Sequence, residues 1–302
     1  MRKNVFILCC LGMVILLNHS AFSQKITIEK SYPEAFLRAY DNYVNKNYAA
    51  SFEQFSALVE QTPQDREELL QDIMFYRASS AYEMMNKDAD ALLCEFISLC
   101  PQSAHCNEAY FLLANFYARG ERYDQAIEVY SKMNVAILNQ DDKFEYDYKR
   151  GHCLFMLNRY DEALEEFDKV KDAKSKFAAP STYFYAHILY EQGRYNLALK
   201  EFLTLQEDKS FGKIVPYYIA HIYYYQENYE ELIKIAPSLS EKSQSKRSGE
   251  LNRMLGDAYY KLGQYKEATP YLIKAAEQEG ADVQDYYLLG FSLMEEKDFK
   301  QA

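Results

Sequence analysis

Residues 183–202 read YFYAHILYEQGRYNLALKEF, and the pattern of this stretch returns along most of the chain. Its centre is Tyr195, followed by Ala198 after three residues and by Phe202 after seven. The same trio recurs as Tyr48, Ser51, Phe55; Tyr123, Ala126, Tyr130; Tyr160, Ala163, Phe167; Tyr229, Leu232, Ala236; Tyr265, Ala268, Leu272; and Phe299, Ala302, with a degenerate copy near Ala89 and Leu93. The steps between the Ala places are 38, 37, 37, 35, 34, 36 and 34 residues. Such a period is typical of stacked helix pairs, so the sequence predicts an all-α fold.

A second small residue lies twelve positions before seven of the Ala places. These residues are Ala39, Ala114, Gly151, Ala186, Ala220, Gly256 and Gly290. A small side chain lets two helix backbones come close together, so we expect the two helices of a pair to meet at these positions.

The pattern resembles that of the tetratricopeptide repeat (TPR) family, a 34-residue helix–turn–helix unit. Leu255, Gly256 and Tyr259 match its first helix and Ala268 its second, and Leu113, Ala114, Tyr117 and Ala126 do the same in another repeat. The resemblance covers roughly residues 32–302 and implies a right-handed α-solenoid of about eight repeats, which start near residues 32, 70, 107, 144, 179, 213, 249 and 283. Ala302 takes the Ala place of an eighth, truncated repeat, so we expect a longer repeat protein.

The first 23 residues have the pattern of a cleaved signal peptide. Arg2 and Lys3 precede an apolar run from Val5 to Leu17, and Ala21 and Ser23 form a small-residue cleavage site. The run is shorter than the about 20 apolar residues that span a bilayer. Residues 24–302 would then be the exported solenoid, held at a membrane only through partners.

The charge balance is acidic, with 34 basic and 45 acidic residues and a formal net charge of −11. No basic cluster offsets it, which argues against nucleic acid as a partner. Residues 101–130, PQSAHCNEAYFLLANFYARGERYDQAIEVY, are similar to TPR proteins of bacterial outer-membrane assembly and secretion systems. That similarity implies an exported bacterial cell-envelope protein, located in the periplasm or envelope.

Four cysteines follow the leader: Cys94, Cys100, Cys106 and Cys153. Their spacing shows no disulfide framework, although an exported protein permits disulfides. Cys100 and Cys106 flank the turn PQSAH, and they either close a short loop or remain free core thiols.

Two features depart from the repeat pattern. Pro270 falls inside a second helix, where it removes a backbone hydrogen bond and predicts a local bend. The segment PSLSEKSQSKRSGE, residues 237–250, is polar and rich in Ser and Lys, which predicts a flexible joint.

The candidate partner-binding residues come from the first helices, which line the concave groove in TPR proteins. Side chains four and seven residues apart lie on one helix face. That face carries Tyr148, His152, Phe155; Tyr183, His187, Tyr190; Tyr217, His221, Tyr224; and Arg253, Asp257, Tyr260. Three repeats thus share Tyr-x-x-x-His-x-x-aromatic, either as a ladder that stacks on and hydrogen-bonds a ligand or as packing between neighbouring helices. If the imidazoles face the groove, binding should change between about pH 5.5 and 7.5.

Catalytic, cofactor and metal sites are not predicted. The chain has no Gly-rich phosphate loop, paired metal-ligand motif or nucleophile elbow. The repeated histidines would stand farther apart than one zinc ion allows, because neighbouring helix axes lie about 8–10 Å apart.

The resemblance implies a scaffold that binds a protein or peptide in the groove, and we expect no enzyme activity. Two alternatives remain: a glycan-handling component of a polysaccharide secretion system, since aromatic ladders suit sugar rings, and the binding region of a longer enzyme.

Overall fold

The computed structural model describes residues 32–242, 246–278, 281 and 283–295. These described residues form fifteen α-helices and no strand. The predicted all-α class is therefore confirmed. The signal peptide predicted for residues 1–23 and the trio at Phe299 and Ala302 lie outside the described residues.

The helices alternate between first and second members of a pair. The first helices are α1 (Glu34–Val44), α3 (Glu67–Glu83), α5 (Cys106–Arg119), α7 (Gln140–Met156), α9 (Ala178–Glu191), α11 (Val215–Tyr225), α13 (Lys246–Lys261) and α15 (Val283–Glu295). The second helices are α2 (Tyr48–Gln61), α4 (Ala89–Leu99), α6 (Tyr123–Tyr130), α8 (Tyr160–Asp168), α10 (Tyr195–Thr204), α12 (Tyr229–Lys242) and α14 (Tyr265–Ala276). A short 3₁₀ turn, Val135–Ile137, precedes α7.

The chain divides into two compact units, one up to Lys143 and one from Phe144 onwards. In the first unit each helix from α1 to α6 packs against the next, and α1 with α3 and α3 with α5 are also in contact. In the second unit each helix from α8 to α15 packs against the next, and α13 also contacts α15. Helices that pack mainly on their neighbours in the chain are the arrangement of a repeat protein.

The core of each unit is built from the trio that recurs in the sequence. The Ala places of the second helices are fully buried at Ala126, Ala163, Ala198 and Ala268. The aromatic places are buried too, at Phe55, Tyr130, Phe167 and Phe202. Where α4, α12 and α14 depart from the trio, other apolar residues take the same places and are fully buried, namely Leu93, Leu232, Ala236 and Leu272, so each pair supplies a similar apolar stripe to its unit.

The turn inside a pair has one recurring backbone geometry. Seven of these turns contain a residue with φ between 55° and 72°, namely Lys46, Met85, Glu121, Asn158, Gly193, Glu227 and Gly263. In each, the next N–H donates to the carbonyl five residues earlier at 2.8–2.9 Å. This is the Schellman ending of a helix, which favours glycine at the left-handed position. In the third repeat that position is Glu121 and not the neighbouring Gly120, whose φ is −84°.

Most of the polar segment and Pro270 lie within helices. α12 continues through Pro237 to Lys242, and α13 begins at Lys246, so most of residues 237–250 is helical. Residues 243–245 lie outside the described residues, and the flexible joint there stays a prediction. Pro270 lies inside α14, which continues from Tyr265 to Ala276, and the bend at this residue stays a prediction.

Candidate interaction surface

The structure places four of the predicted contact residues in the interior. Tyr148, Tyr183, Tyr217 and His221 are buried in the second unit. The other eight, His152, Phe155, Tyr190, His187, Tyr224, Arg253, Asp257 and Tyr260, are partly buried. The four buried side chains offer no accessible face to a partner while the helices stay packed. Partner binding by the remaining eight stays a prediction.

Tyr148 shows why this helix face is less open than expected. Its ring stacks on Phe177 with centroids 5.2 Å apart and also contacts Phe167 and Phe184. Burial raises the pKa of its phenol, and the hydroxyl has no hydrogen-bond partner among the residues that the structure describes. Tyr148 is thus a packing residue.

His152 and His187 lie among aromatic rings. Phe184 meets His152 edge-on at 5.2 Å, and Phe155 and Tyr218 meet His187 at 5.6 and 5.5 Å. Burial lowers the pKa of each imidazole to about 4, because the charged form loses its hydration. Both are neutral at pH 7, so their titration lies below the window of pH 5.5 to 7.5 expected for a groove histidine.

Several of the predicted residues tie neighbouring first helices together. Tyr183 on α9 and Tyr218 on α11 share a hydrogen bond between their hydroxyls at 3.3 Å. The hydroxyl of Tyr224 on α11 donates to Asp257 Oδ2 on α13 at 2.8 Å. These bonds join residues 35 and 33 positions apart, one repeat along the chain.

Between α13 and α15 the tie is ionic. Arg253 donates from Nε to Asp285 Oδ1 and from Nη2 to Oδ2, both at 2.6 Å. Asp285 is fully buried, and a two-pronged bond of this kind is the strong geometry for a guanidinium and a carboxylate. Arg253 therefore has a structural role whether or not it also contacts a partner.

An accessible group of aromatic side chains lies beside these ties. Tyr190 at the end of α9, Tyr195 at the start of α10 and Tyr225 at the end of α11 form what we call the tyrosine box. Tyr195 and Tyr225 stack with centroids 5.3 Å and planes 11° apart, and Tyr190 lies 5.8 Å from Tyr195 and 6.5 Å from Tyr225. Tyr225 is 52% exposed.

Only Tyr190 of the box was among the predicted contact residues. Tyr225 was missed because the ladder pattern selects its neighbour Tyr224, and Tyr195 because it was assigned to the repeat core. A signal was available for Tyr195, though not for Tyr225: an aromatic residue at the end of a first helix recurs five residues before the Tyr that opens the second helix. Those pairs are in ring contact at Tyr43 and Tyr48, Phe155 and Tyr160, Tyr190 and Tyr195, Tyr224 and Tyr229, and Tyr260 and Tyr265, with centroids 5.6–6.3 Å apart.

Two carboxylates act on the tyrosine box. Burial raises the pKa of Tyr190 and of Tyr225, and the carboxylates of Glu191 and Glu250 raise both further. The Glu250 carboxylate accepts a hydrogen bond from the Tyr217 hydroxyl and lies 3.7 Å from His221 Nε2. Burial lowers the pKa of His221, although Glu250 opposes that change. The imidazole is therefore neutral at pH 7, and its contact with Glu250 does not compensate the charge of the carboxylate.

The last described helix, α15, also has an exposed aromatic side. Tyr286 and Tyr287 are 57% and 59% exposed. Phe291 packs on Tyr260 at 5.5 Å and on Tyr265 at 6.2 Å. Tyr260 is thereby held between α14 and α15.

The first unit contains a charged cluster that the sequence analysis did not identify. His105 stacks on Phe75 with centroids 4.2 Å apart, and its Nε2 lies 3.2 Å from Asp72 Oδ1. Its Nδ1 lies 3.8 Å from Glu108 Oε2. Burial alone would lower the pKa of His105, but the contact with Asp72 and the negative charges of Asp72 and Glu108 outweigh it and raise the pKa to about 9. His105 thus carries a positive charge at pH 7 and joins α3 to α5.

The remaining predicted chemistry concerns thiols, metals and membranes. Within the described ranges, Cys94, Cys100, Cys106 and Cys153 are free thiols, so the loop closure considered for Cys100 and Cys106 is not formed. The described part of the chain has no group of three or more His, Cys, Asp and Glu placed to hold a metal ion. Among the same residues, no helix has the length and apolar character needed to cross a bilayer.

Comparison with known proteins supports the tetratricopeptide repeat family. Residues 109–137 and 251–282 match two models of the tetratricopeptide repeat. A signal recognition particle subunit, SRP72 of Dictyostelium discoideum, is 28% identical over 172 residues, 57% of this chain. The match spans 24% of that protein, so the chain covers about a quarter of this relative.

Two solved structures are similar over most of the chain. A tetratricopeptide repeat protein from Parabacteroides merdae covers 86% of this chain and 98% of its own, with a TM-score of 0.50 and 16% identity. The C-terminal part of a TPR repeat-containing protein from Cytophaga hutchinsonii covers 84% and 99%, with a TM-score of 0.60 and 16% identity. At this identity the similarity shows the fold alone. TPR proteins generally mediate protein–protein interaction, and their fold is typically a non-catalytic scaffold.

Proposed function

We propose that this chain, which carries tetratricopeptide repeats, is a scaffold that binds a polypeptide partner during assembly or secretion in a bacterial cell envelope. The observation that carries the proposal is the tyrosine box, a cluster of three aromatic rings of which Tyr225 leaves about half its surface to solvent. Tyrosine supplies a large apolar face with a polar end at little cost in conformational entropy, which is why it is enriched in binding surfaces.

The envelope location rests on the first 23 residues. Their basic start, short apolar run and small residues at Ala21 and Ser23 are typical of a cleaved leader. N-terminal sequencing of the protein from envelope and cytosolic fractions tests this point. A mature chain that begins near Gln24 in the envelope fraction supports export, whereas a chain that retains Met1 in the cytosol overturns it.

Site-specific photocrosslinking tests the scaffold function. A photoreactive phenylalanine replaces Tyr225 in one variant and Tyr286 in the other, two tyrosines of similar exposure, 52% and 57%. Because the new side chain is aromatic and of similar size, the repeats should stay folded. We expect one polypeptide to be crosslinked from position 225 and not from position 286.

The captured polypeptide, purified, must then bind the wild-type chain with a measurable dissociation constant. Capture of a glycan at position 225 would instead favour the polysaccharide alternative. Capture of no polypeptide at either position, together with no binding by any purified envelope protein tested, would contradict the scaffold.

A further inference from the structure

The tyrosine box lies next to two carboxylates, those of Glu191 and Glu250. Glu191 directly follows Tyr190, is exposed, and forms no ion pair within the described residues. Glu250 is held by the Tyr217 hydroxyl and faces the neutral His221, and 45% of its side chain remains exposed. An aromatic face and carboxylates together attract a cation, since both the ring face and the carboxylate present negative charge.

The same chain shows this combination with its cation in place. Lys171 Nζ lies 5.4 Å from the centroid of Tyr185 and contacts three carboxylates, those of Asp172 at 2.6 Å, Glu201 at 3.7 Å and Asp168 at 3.8 Å. Its side chain is 11% exposed, so ring and carboxylates replace much of the lysine's hydration. The tyrosine box has the rings and two carboxylates, and among the described side chains no lysine or arginine lies over any of its three rings.

We propose that the tyrosine box and its flanking Glu191 and Glu250 bind a lysine or arginine side chain of the partner polypeptide. This inference rests on the proposed function, because it assigns the chemistry of one contact in that complex. The cation would lie against the exposed face of Tyr225, within reach of both carboxylates. The formal charge of −11 would draw a basic segment towards this surface and set its salt dependence.

The test uses a labelled peptide of about twelve residues with three arginines spaced by Ser and Gly, and the same peptide with glutamine in place of arginine. Fluorescence anisotropy gives the dissociation constant of each for the wild-type chain and its variants. Tyr225→Ala should weaken binding of the arginine peptide about fivefold, whereas Tyr225→Phe keeps the ring and should change it less than about twofold. Glu191→Gln should weaken it about threefold and reduce its salt dependence.

Matched controls separate the box from general attraction to an acidic protein. Tyr286→Ala removes another exposed tyrosine, and Glu207→Gln removes another exposed carboxylate of the same unit. Neither should change the dissociation constant. Equal binding of the glutamine peptide, or Tyr225→Ala and Glu191→Gln binding no worse than these controls, would overturn the proposal.

A failure here is distinguishable from a failure of the scaffold function. If the polypeptide captured by crosslinking binds Tyr225→Ala as tightly as wild type, and its arginine and lysine residues can be replaced without loss, the cation site is wrong and the scaffold stands. If the box binds a neutral oligosaccharide more tightly than the arginine peptide, the cation site is also wrong. Capture of no polypeptide at position 225 or 286, together with no binding by any purified envelope protein tested, removes the proposed function itself.

Discussion

Gly256 on α13 has no room for a side chain, because α14, the second helix of its own pair, packs closely against it. A Cβ built there would lie 2.5 Å from Leu272 Cδ2 and 3.3 Å from the Leu272 backbone nitrogen. Leu272 is fully buried, so it has little room to move. Gly256→Ala should therefore lower the free energy of unfolding by about 1–2 kcal/mol, because overpacking outweighs the higher helix propensity of alanine.

The measurement is urea unfolding of the second unit, monitored through the labelling of the Cys153 thiol, which is buried in the folded protein. Gly290→Ala is the matched control, since Gly290 holds the same repeat position and a Cβ there meets nothing within 4 Å. It should leave stability unchanged or raise it by up to about 1 kcal/mol. A gain of stability in Gly256→Ala of the same size as in the control would contradict the packing argument.

The sequence could identify Gly256 and Gly151 because a fixed spacing marks them, and the structure shows the expected close approach at both. It could not separate accessible from buried members of the predicted ladder. Tyr148, Tyr183 and Tyr217 have the spacing expected of side chains that face the groove, but side chains that pack against the neighbouring first helix have the same spacing. Whether a ring faces the groove or the neighbouring helix depends on how each helix is rotated about its axis, and the periodicity within one helix does not contain that information.

At the scale of elements, the turn inside a repeat is defined by one left-handed residue, and only Gly193 and Gly263 have glycine there among the seven turns. Glu121 has φ 57° and an exposed side chain. A left-handed conformation costs a residue with a Cβ about 1–2 kcal/mol, and glycine avoids this cost. Glycine is more flexible in the unfolded chain, however, and the larger entropy that it loses on folding lowers stability by roughly 0.5–1 kcal/mol. Glu121→Gly should therefore raise the stability of the first unit by about 0.5–1 kcal/mol.

The control for this turn is Glu121→Ala, which removes the charge but keeps the Cβ. We expect no gain from it, and the buried Cys100 thiol reports unfolding of the first unit. If alanine stabilises as much as glycine, the charge of Glu121 and not its backbone conformation is the cause.

The helix pairs themselves could be predicted from the 34- to 38-residue spacing, because each pair must supply the same stripe to the core. The residues at which α12 ends and α13 begins could not be predicted from the sequence. Polar residues such as those of 237–250 are compatible with either an exposed helix or a loop, and local composition does not distinguish the two.

At the scale of the whole molecule, the two units should respond to pH in opposite directions. In the second unit the pKa of His152 and His187 falls from 6.5 to about 4 on folding, so between these values the unfolded chain binds more protons. Stability is then fully present above pH 6.5 and declines as the pH falls towards 4. In the first unit the pKa of His105 rises to about 9, so its contribution is full below pH 6.5 and is lost as the pH rises to 9.

Urea unfolding at pH 5, 7 and 9, with Cys100 and Cys153 labelled in the same sample, measures both units at once. From pH 7 to 5 each of the two histidines costs the second unit at most about 2 kcal/mol, and Asp147, whose pKa burial raises to about 7, offsets part of this loss. The Cys153 transition should therefore move to lower urea, and that of Cys100 should not fall with it. From pH 7 to 9 the order reverses, because His105 loses the proton that holds it between Asp72 and Glu108. His187→Phe should reduce the acid sensitivity of the second unit, and His105→Gln should remove the alkaline sensitivity of the first. Parallel shifts of both thiols at either pH would mean that these histidines do not control the response, since they lie in different units and titrate on opposite sides of pH 6.5.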